Sequence, residues 1–114
     1  MNIFITGGTG LIGQALIPVL LNQQHQLSLL TRSEKKARWL FPQKNLRFFT
    51  SLTALKNLDE FDVVINLAGE PIFAKAWSAA QKATLFNSRV KLTEQIALLI
   101  NAGLNPPRLI SASA

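Results

Sequence analysis

The stretch Thr-Gly-Gly-Thr-Gly-Leu-Ile-Gly at residues 6–13 lies between a short apolar strand pattern and the start of a helical pattern. Gly8, Gly10 and Gly13 have the Gly-x-Gly-x-x-Gly spacing, and Gly7 adds a second, wider glycine spacing. Glycines so placed allow a tight turn, a close approach of the backbone to a ligand, and close contact between helix and strand. The helix N-terminus that follows presents N–H groups and partial positive charge to an anion. The stretch therefore predicts a loop that binds the diphosphate of a dinucleotide, rather than a glycine-rich turn without a ligand.

A second kind of nucleotide-binding loop has a related glycine pattern and is not favoured here. Gly8 and Gly13 are separated by four residues, as in a Walker-type loop. However, Gln14 and Ala15 follow, where that loop requires Lys and then Ser or Thr.

The composition is that of one folded domain with a large apolar core. The chain has 114 residues, of which 48% are hydrophobic and 16% charged, and this balance excludes a disordered chain. It contains no cysteine and a single histidine, so neither a disulfide nor a metal site is expected. That histidine, His25, falls in the turn before the second predicted strand, where we interpret it as a solvated loop residue.

The net charge and the apolar runs bear on partners and location. A net charge of +6 favours anionic partners. Because the basic residues are scattered and there is no tyrosine to stack on bases, a phosphorylated small molecule is favoured over nucleic acid. The longest apolar run, residues 15–21, contains Pro18 and is too short to span a bilayer, so no membrane contact is expected. No basic leader precedes the first strand, and we expect a cytoplasmic protein.

Strand and helix patterns alternate along the chain, which is typical of a parallel α/β sheet. Right-handed crossovers would place the strands in the order 3-2-1-4-5, as in a Rossmann-type doubly wound fold formed by residues 1–114 as a single domain. The fifth strand would then be an edge, and we expect the N-terminal part of a longer protein whose substrate region is absent. The predicted elements are strands at 2–6, 26–31, 46–50, 61–66 and 108–113, helices at 11–23, 34–40 and 79–102, and at most a turn or two of helix at 51–58.

The predicted helix at 79–102 has a broad apolar band. A band of this width can cover the sheet and still leave surface for a partner helix, so a homodimer through this helix is a second expectation. One stripe has spacings of three and four residues and contains Phe86, Val90, Thr93, Ala97 and Ile100. The residues that widen it are Leu85, Leu92, Ile96 and Leu99.

Several segments together resemble the extended short-chain dehydrogenase/reductase family, in particular its nucleotide-sugar epimerase-like branch of NAD-dependent epimerases and dehydratases. The resemblance covers essentially the whole chain, and its most specific element is Asn-Leu-Ala-Gly-Glu-Pro-Ile at residues 66–72. It implies an oxidoreductase or epimerase in which bound NAD(P) oxidises or reduces a carbinol carbon, with a Tyr-x-x-x-Lys pair and a Ser or Thr as catalytic residues. The other matching segments are residues 6–13, 30–33, 87–90 and 109–114.

The resemblance places the catalytic serine at Ser113, with Ser111 as the alternative. A hydroxyl there would hydrogen-bond the substrate oxygen and stabilise its developing negative charge. From spacing alone, both serines are better explained as small polar residues at a strand end. Because the chain contains no tyrosine, the Tyr-x-x-x-Lys pair is absent, and we do not expect this chain alone to catalyse turnover. The alternative is a non-catalytic module that senses NADP(H) or dimerises through a helix.

The end of the second strand decides between the two nicotinamide cofactors. An acidic residue that would bind a ribose 2′-hydroxyl is missing there, and Thr31 and Arg32 stand in its place. The guanidinium of Arg32 can pair with a 2′-phosphate, so NADP(H) is expected rather than NAD. Glu70 either binds a ribose hydroxyl or only begins a loop, and Arg89 either faces the cofactor or is a surface charge. The expected cofactor-binding residues are Gly7, Gly10, Leu11, Ile12, Gly13, Thr31, Arg32, Leu67, Ala68, Gly69 and Glu70.

Overall fold

Strands and helices alternate throughout the computed structural model, which describes residues 1–42, 46–67 and 79–111, the side chains of Leu11 and of residues 79–89 excepted. This alternation is the predicted one. The elements are β1 (Asn2–Thr6), α1 (Leu11–Asn22), β2 (Gln26–Leu30), α2 (Glu34–Leu40), β3 (Leu46–Phe49), a 3₁₀ turn (Leu52–Ala54), β4 (Val63–Asn66), α3 (Ala79–Asn101) and β5 (Arg108–Ser111).

The five strands form one parallel sheet in the order β3-β2-β1-β4-β5, which confirms the predicted Rossmann-type arrangement. In the register of the sheet, Thr6 lies beside Leu30 on one side and beside Asn66 on the other, and Asn66 lies beside Ser111. Because all strands run in one direction, their carboxyl ends lie along a single edge of the sheet. We call this the carboxyl edge; parallel sheets bind their ligands there.

Alternation along the strands divides the core into two layers. On β1, Ile3 and Ile5 pack in a cluster with Ile17 of α1, whereas Phe4 packs on the opposite face with Ile96 of α3. Ile5, Ile17 and Phe4 have no exposed surface. Burial of a large apolar side chain contributes about 1.5–3 kcal/mol, so these two layers hold the helices against the sheet.

The buried face of α3 differs from the predicted stripe. Leu92, Ile96, Leu99 and Ile100, all members of the predicted apolar band, pack toward the sheet, while Val90, Thr93 and Ala97 of its central stripe are exposed. The broad apolar band allows more than one rotation of the helix about its axis. Packing against the sheet selects the rotation in which Ile96 is buried. The side chains of Leu85 and Phe86 lie outside the described residues.

Element boundaries differ from prediction by one or two residues. β2 ends at Leu30, although the N–H of Thr31 still donates to the carbonyl of Phe49 at 2.9 Å. α1 ends at Asn22, one residue before the predicted end, and Pro18 lies inside it. β4 begins at Val63 rather than residue 61, and residues 112–114, where the fifth strand was expected to continue, lie outside the described ranges. Within the part of the chain that is described, no helix combines the length and the hydropathy needed to cross a membrane.

Candidate functional site at the carboxyl edge

The glycine loop turns the chain from β1 into α1. Gly7 has a φ of 72°, a conformation that favours glycine, and the N–H of Gly10 donates to the carbonyl of Gly7 at 3.1 Å. Gly10 is the N-cap of α1, and no side chain caps the helix there. Among the described residues, the N–H groups of Leu11, Ile12 and Gly13 have no acceptor. The loop therefore presents three unsatisfied donors, at the positive end of the helix dipole, at the carboxyl edge.

Packing between the loop and the helix requires glycine at position 13 and favours it at position 8. A Cβ at Gly13 would overlap the carbonyl group of Gly8. A Cβ at Gly8 would lie 2.9 Å from Cδ1 of Ile17 and 3.4 Å from Cδ2 of Leu29. In contrast, Gly10 has φ −75° and ψ −178°, a conformation that any residue adopts. The backbone thus explains glycine at positions 7 and 13, but the conformation of Gly10 does not require glycine.

A compact turn fixes the chain after β2, beside the glycine loop. The N–H of Ser33 donates to Oγ1 of Thr31 at 3.2 Å, and the Thr31 hydroxyl donates to the carbonyl of Ser33. Oγ of Ser33 accepts from the N–H of Lys36 at 3.2 Å and so caps α2. Arg32 lies between these residues and is exposed. No ion pair within the described ranges involves Arg32, so its guanidinium is available to an external anion.

A buried polar contact joins the ends of β1 and β4 beneath the loop. The hydroxyl of Thr6 donates to Oδ1 of Asn66 at 2.6 Å, and Nδ2 of Asn66 donates to Oγ1 of Thr93 on α3 at 3.4 Å. Thr6 is 0% exposed and Asn66 is 4% exposed. The N–H of Leu67 then donates to the carbonyl of Thr6, which continues the sheet contact one residue beyond β4. These contacts hold the two central strand ends together where the loop begins.

Sequence reasoning did not assign Thr6, Asn66 or Thr93 to the site. The available signal was a polar residue at the end of each of two otherwise apolar strands, Thr6 on β1 and Asn66 on β4. That signal does not identify the partner, because the pairing depends on the register of strands 60 positions apart.

The fold brings most of the predicted cofactor-binding residues to one edge. The glycine loop, the β2 turn and the end of β4 all meet there; the described members are Gly7, Gly10, Leu11, Ile12, Gly13, Thr31, Arg32 and Leu67. Ile12 is 45% exposed, whereas the side chain of Leu67 is buried in the core layer beneath α1, so only its backbone faces the edge. The remaining predicted residues, which lie outside the described ranges, are Ala68, Gly69, Glu70, Ser113 and the side chain of Arg89.

His25 lies at the opposite edge of the sheet. It directly precedes β2, is half-buried, and its Nδ1 is 3.3 Å from the N-terminal nitrogen of Met1. The residue is therefore less solvated than predicted, and it is remote from the glycine loop.

Comparison with known proteins supports the same reading of the chain. A sequence model of the NAD dependent epimerase/dehydratase family matches residues 3–114. The epimerase family protein YfhF of Bacillus subtilis is 37% identical over 119 residues, a match that covers 100% of this chain and 38% of that protein. The chloroplastic SDR39U1 homologue of Arabidopsis thaliana is 36% identical over 120 residues, covering 100% of this chain and 34% of that protein. The chain thus spans little more than a third of the length of these two relatives.

A solved structure is similar in both fold and sequence. The human epimerase family protein SDR39U1, crystallised with NADPH, superimposes with a TM-score of 0.73 and is 28% identical. The match covers 97% of this chain and 36% of the human chain.

Proposed function

The chain belongs to the NAD dependent epimerase/dehydratase family, and we propose that it is the NADP(H)-binding portion of an epimerase-like short-chain oxidoreductase. The proposed reaction is oxidation or reduction of a carbinol carbon, with a nucleotide sugar as the substrate class suggested by the family resemblance. The observation that carries this proposal is the set of unsatisfied N–H groups at the start of α1, beside the exposed Arg32.

The start of α1 fits the diphosphate of a dinucleotide. The N–H groups of Leu11, Ile12 and Gly13 need acceptors, and the first turn of the helix contains no acidic side chain that would supply them. A diphosphate supplies several anionic oxygens at the positive end of the helix dipole. This ligand would explain why residue 10 is glycine although its conformation does not require one. The absence of a side chain at Gly10 lets the diphosphate approach the backbone.

Arg32 fits the additional phosphate of NADP(H). It follows β2 at the same edge, and its backbone position is fixed by the hydrogen bonds of Thr31 and Ser33. A charge-assisted hydrogen bond contributes about 1.5–3 kcal/mol, which corresponds to roughly tenfold to a hundredfold in affinity. The NADPH bound to the human relative supports the same cofactor for this chain.

The remaining residues are assigned roles by the same proposal. Ala68 and Gly69 have no large side chain and would let the adenine–ribose half of the cofactor lie against the backbone, and Glu70 would hydrogen-bond a ribose hydroxyl. Ser113 would donate a hydrogen bond to the substrate oxygen. The cofactor, when bound, supplies hydride transfer. Because the chain has no tyrosine, the proton step requires a group that this chain does not contain, and we propose that the chain alone is inactive.

Calorimetric titration of the chain with NADPH and with NADH tests this function. We expect saturable binding of both, with NADPH the tighter ligand. Absence of NADPH binding at millimolar concentration would contradict the proposal.

A second candidate function is a helix-mediated dimerisation module, which is compatible with cofactor binding. The observation in its favour is the outer surface of α3, where Val90 is 39% exposed and Leu98 is 70% exposed. A contiguous exposed apolar patch marks an interaction surface, and these two side chains would form part of such a patch on α3. Sedimentation as a monomer at high protein concentration would argue against it.

A further inference from the structure

A cavity of about 220 Å³ lies at the amino-terminal edge of the sheet, away from the glycine loop. It is on the sheet face that carries Phe4 and α3, where the connection between β3 and β4 has only the short 3₁₀ turn Leu52–Ala54. The side chains that matter for its chemistry are those of Asn2, Gln26, Ser28, Arg47, Glu60 and Phe61.

Ser28 is a buried polar residue in the wall of this cavity. It lies on β2 between Phe4 and Arg47 in the register of the sheet and is only 4% exposed. Its hydroxyl makes no hydrogen bond to any described residue, although serine hydroxyls at this depth are nearly always paired. A buried hydroxyl in a cavity wall, without a partner among the described residues, indicates a ligand that supplies one.

The rim of the cavity carries one positive and one negative side chain, which pair with each other. Nη1 of Arg47 is 3.0 Å from Oε1 of Glu60, and the guanidinium lies over the ring of Phe49 at 5.1 Å from its centroid. Nδ2 of Asn2 donates to the carbonyl of Glu60 at 3.2 Å, which fixes the amide at the same rim. The guanidinium retains further donors and the carboxylate further acceptors beyond their mutual contact.

We infer that this cavity is a binding site for an uncharged, hydroxyl-rich molecule of about monosaccharide size. A hydroxyl group both donates and accepts, so it can pair with Ser28, with the amides and with the rim pair without separating Arg47 from Glu60. A charged ligand would gain little net attraction from a rim in which a positive and a negative group already lie 3.0 Å apart. The volume is below the roughly 300–1,000 Å³ of pockets that hold drug-sized ligands, which favours a small polyol or sugar.

This site is independent of the proposed cofactor site. Asn2 begins β1 and Thr6 ends it, so the cavity and the glycine loop are separated by the length of the strand, about 13 Å. NADPH binding can therefore be measured on the same variants as a separate readout.

Titration of the ¹⁵N-labelled full chain with glycerol, D-glucose and myo-inositol, followed by amide NMR, tests the inference. We expect at least one probe to give saturable shifts at Gln26, Ser28 and Arg47, with a dissociation constant on the order of millimolar. Ser28→Ala should weaken that binding at least about fivefold without lowering the melting temperature, because the hydroxyl has no partner among the described residues to lose. NADPH affinity should be unchanged in this variant.

Thr50→Ala is the matched control, since it removes an exposed hydroxyl just beyond β3 and should leave probe binding unchanged. The inference is overturned if none of the three probes gives saturable shifts up to its solubility. It is equally overturned if Ser28→Ala binds as tightly as the unmodified chain, or if the shifts map to the glycine loop instead.

Discussion

Arg32 carries the charge that we expect to distinguish the two nicotinamide cofactors. Arg32→Asp replaces a partner of the 2′-phosphate with a group that repels it and can accept from a ribose 2′-hydroxyl. NADPH affinity should fall by about tenfold to a hundredfold, while NADH affinity should be kept or improve. Calorimetric titration of both cofactors measures the change.

Lys56→Asp provides the control for net charge, because Lys56 is an exposed residue of the connection between β3 and β4. It should leave the ratio of the two affinities unchanged. The role of Arg32 would be contradicted if Arg32→Asp weakened the binding of NADPH and NADH equally. It would also be contradicted if Lys56→Asp changed the ratio of the two affinities as much as Arg32→Asp does.

Gly10 and Gly13 separate the two reasons for a glycine in the loop. Gly13→Ala places a Cβ against the carbonyl of Gly8, and we expect a loss of about 1–3 kcal/mol in the free energy of unfolding. Alanine is allowed at the φ and ψ of Gly10, so Gly10→Ala should lower the free energy of unfolding by less than about 1 kcal/mol. It should nevertheless weaken NADPH binding by more than about tenfold. Urea unfolding and NADPH titration of both variants test this. Normal NADPH affinity in a folded Gly10→Ala would show that no ligand approaches that position.

Thr6 contributes to the site through the hydrogen bond it donates to Asn66. Thr6→Val keeps the shape of the side chain but leaves Oδ1 of Asn66 without this donor, which should lower the free energy of unfolding by about 1–3 kcal/mol. Thr50→Val, at an exposed position, should change it by less than about 0.5 kcal/mol. Equal urea midpoints for the two variants would contradict a structural role for the buried contact.

At the scale of elements, α3 has an inner and an outer surface with different expected roles. Ile96 is 1% exposed and packs against the sheet, so Ile96→Ala should lower the free energy of unfolding by about 2–5 kcal/mol. Its neighbour Ala97 is exposed, so Ala97→Glu should leave folding intact and weaken any dimer formed through α3. Thermal unfolding and sedimentation of the two variants make the comparison. A dimer that persists in Ala97→Glu would place its interface elsewhere.

The strand order could be predicted because local patterns and topology rules agree. The glycine loop fixes β1 and α1, and right-handed crossovers leave few arrangements for the remaining strands. The rotation of α3 could not be predicted, because large apolar residues such as Leu98 also occur on its outer surface. Only the packing of Ile96 in one cluster with Phe4 of β1 selects the inner surface. The Thr6–Asn66 hydrogen bond was missed for a related reason, since register between distant strands is a tertiary property.

For the whole molecule, the carboxyl edge is where the described residues of three strands meet at the proposed cofactor site. The glycine loop provides unsatisfied donors, the β2 turn provides an exposed cation, and the Thr6–Asn66 contact holds the strand ends beneath them. β5 is the edge strand of the described sheet, and its Leu109 and Ile110 are 42% and 50% exposed. The two relatives compared are nearly three times as long, so substrate choice and turnover stay proposals for the whole protein.

Amide NMR of the ¹⁵N-labelled chain during titration with NADPH tests the central claim most directly, because it observes the proposed donors themselves. We predict saturable downfield shifts of the Leu11, Ile12 and Gly13 N–H resonances that follow the calorimetric binding curve. NADPH binding that leaves these three resonances unmoved would show that the start of α1 does not hold the diphosphate, and the assignment of the site would be wrong.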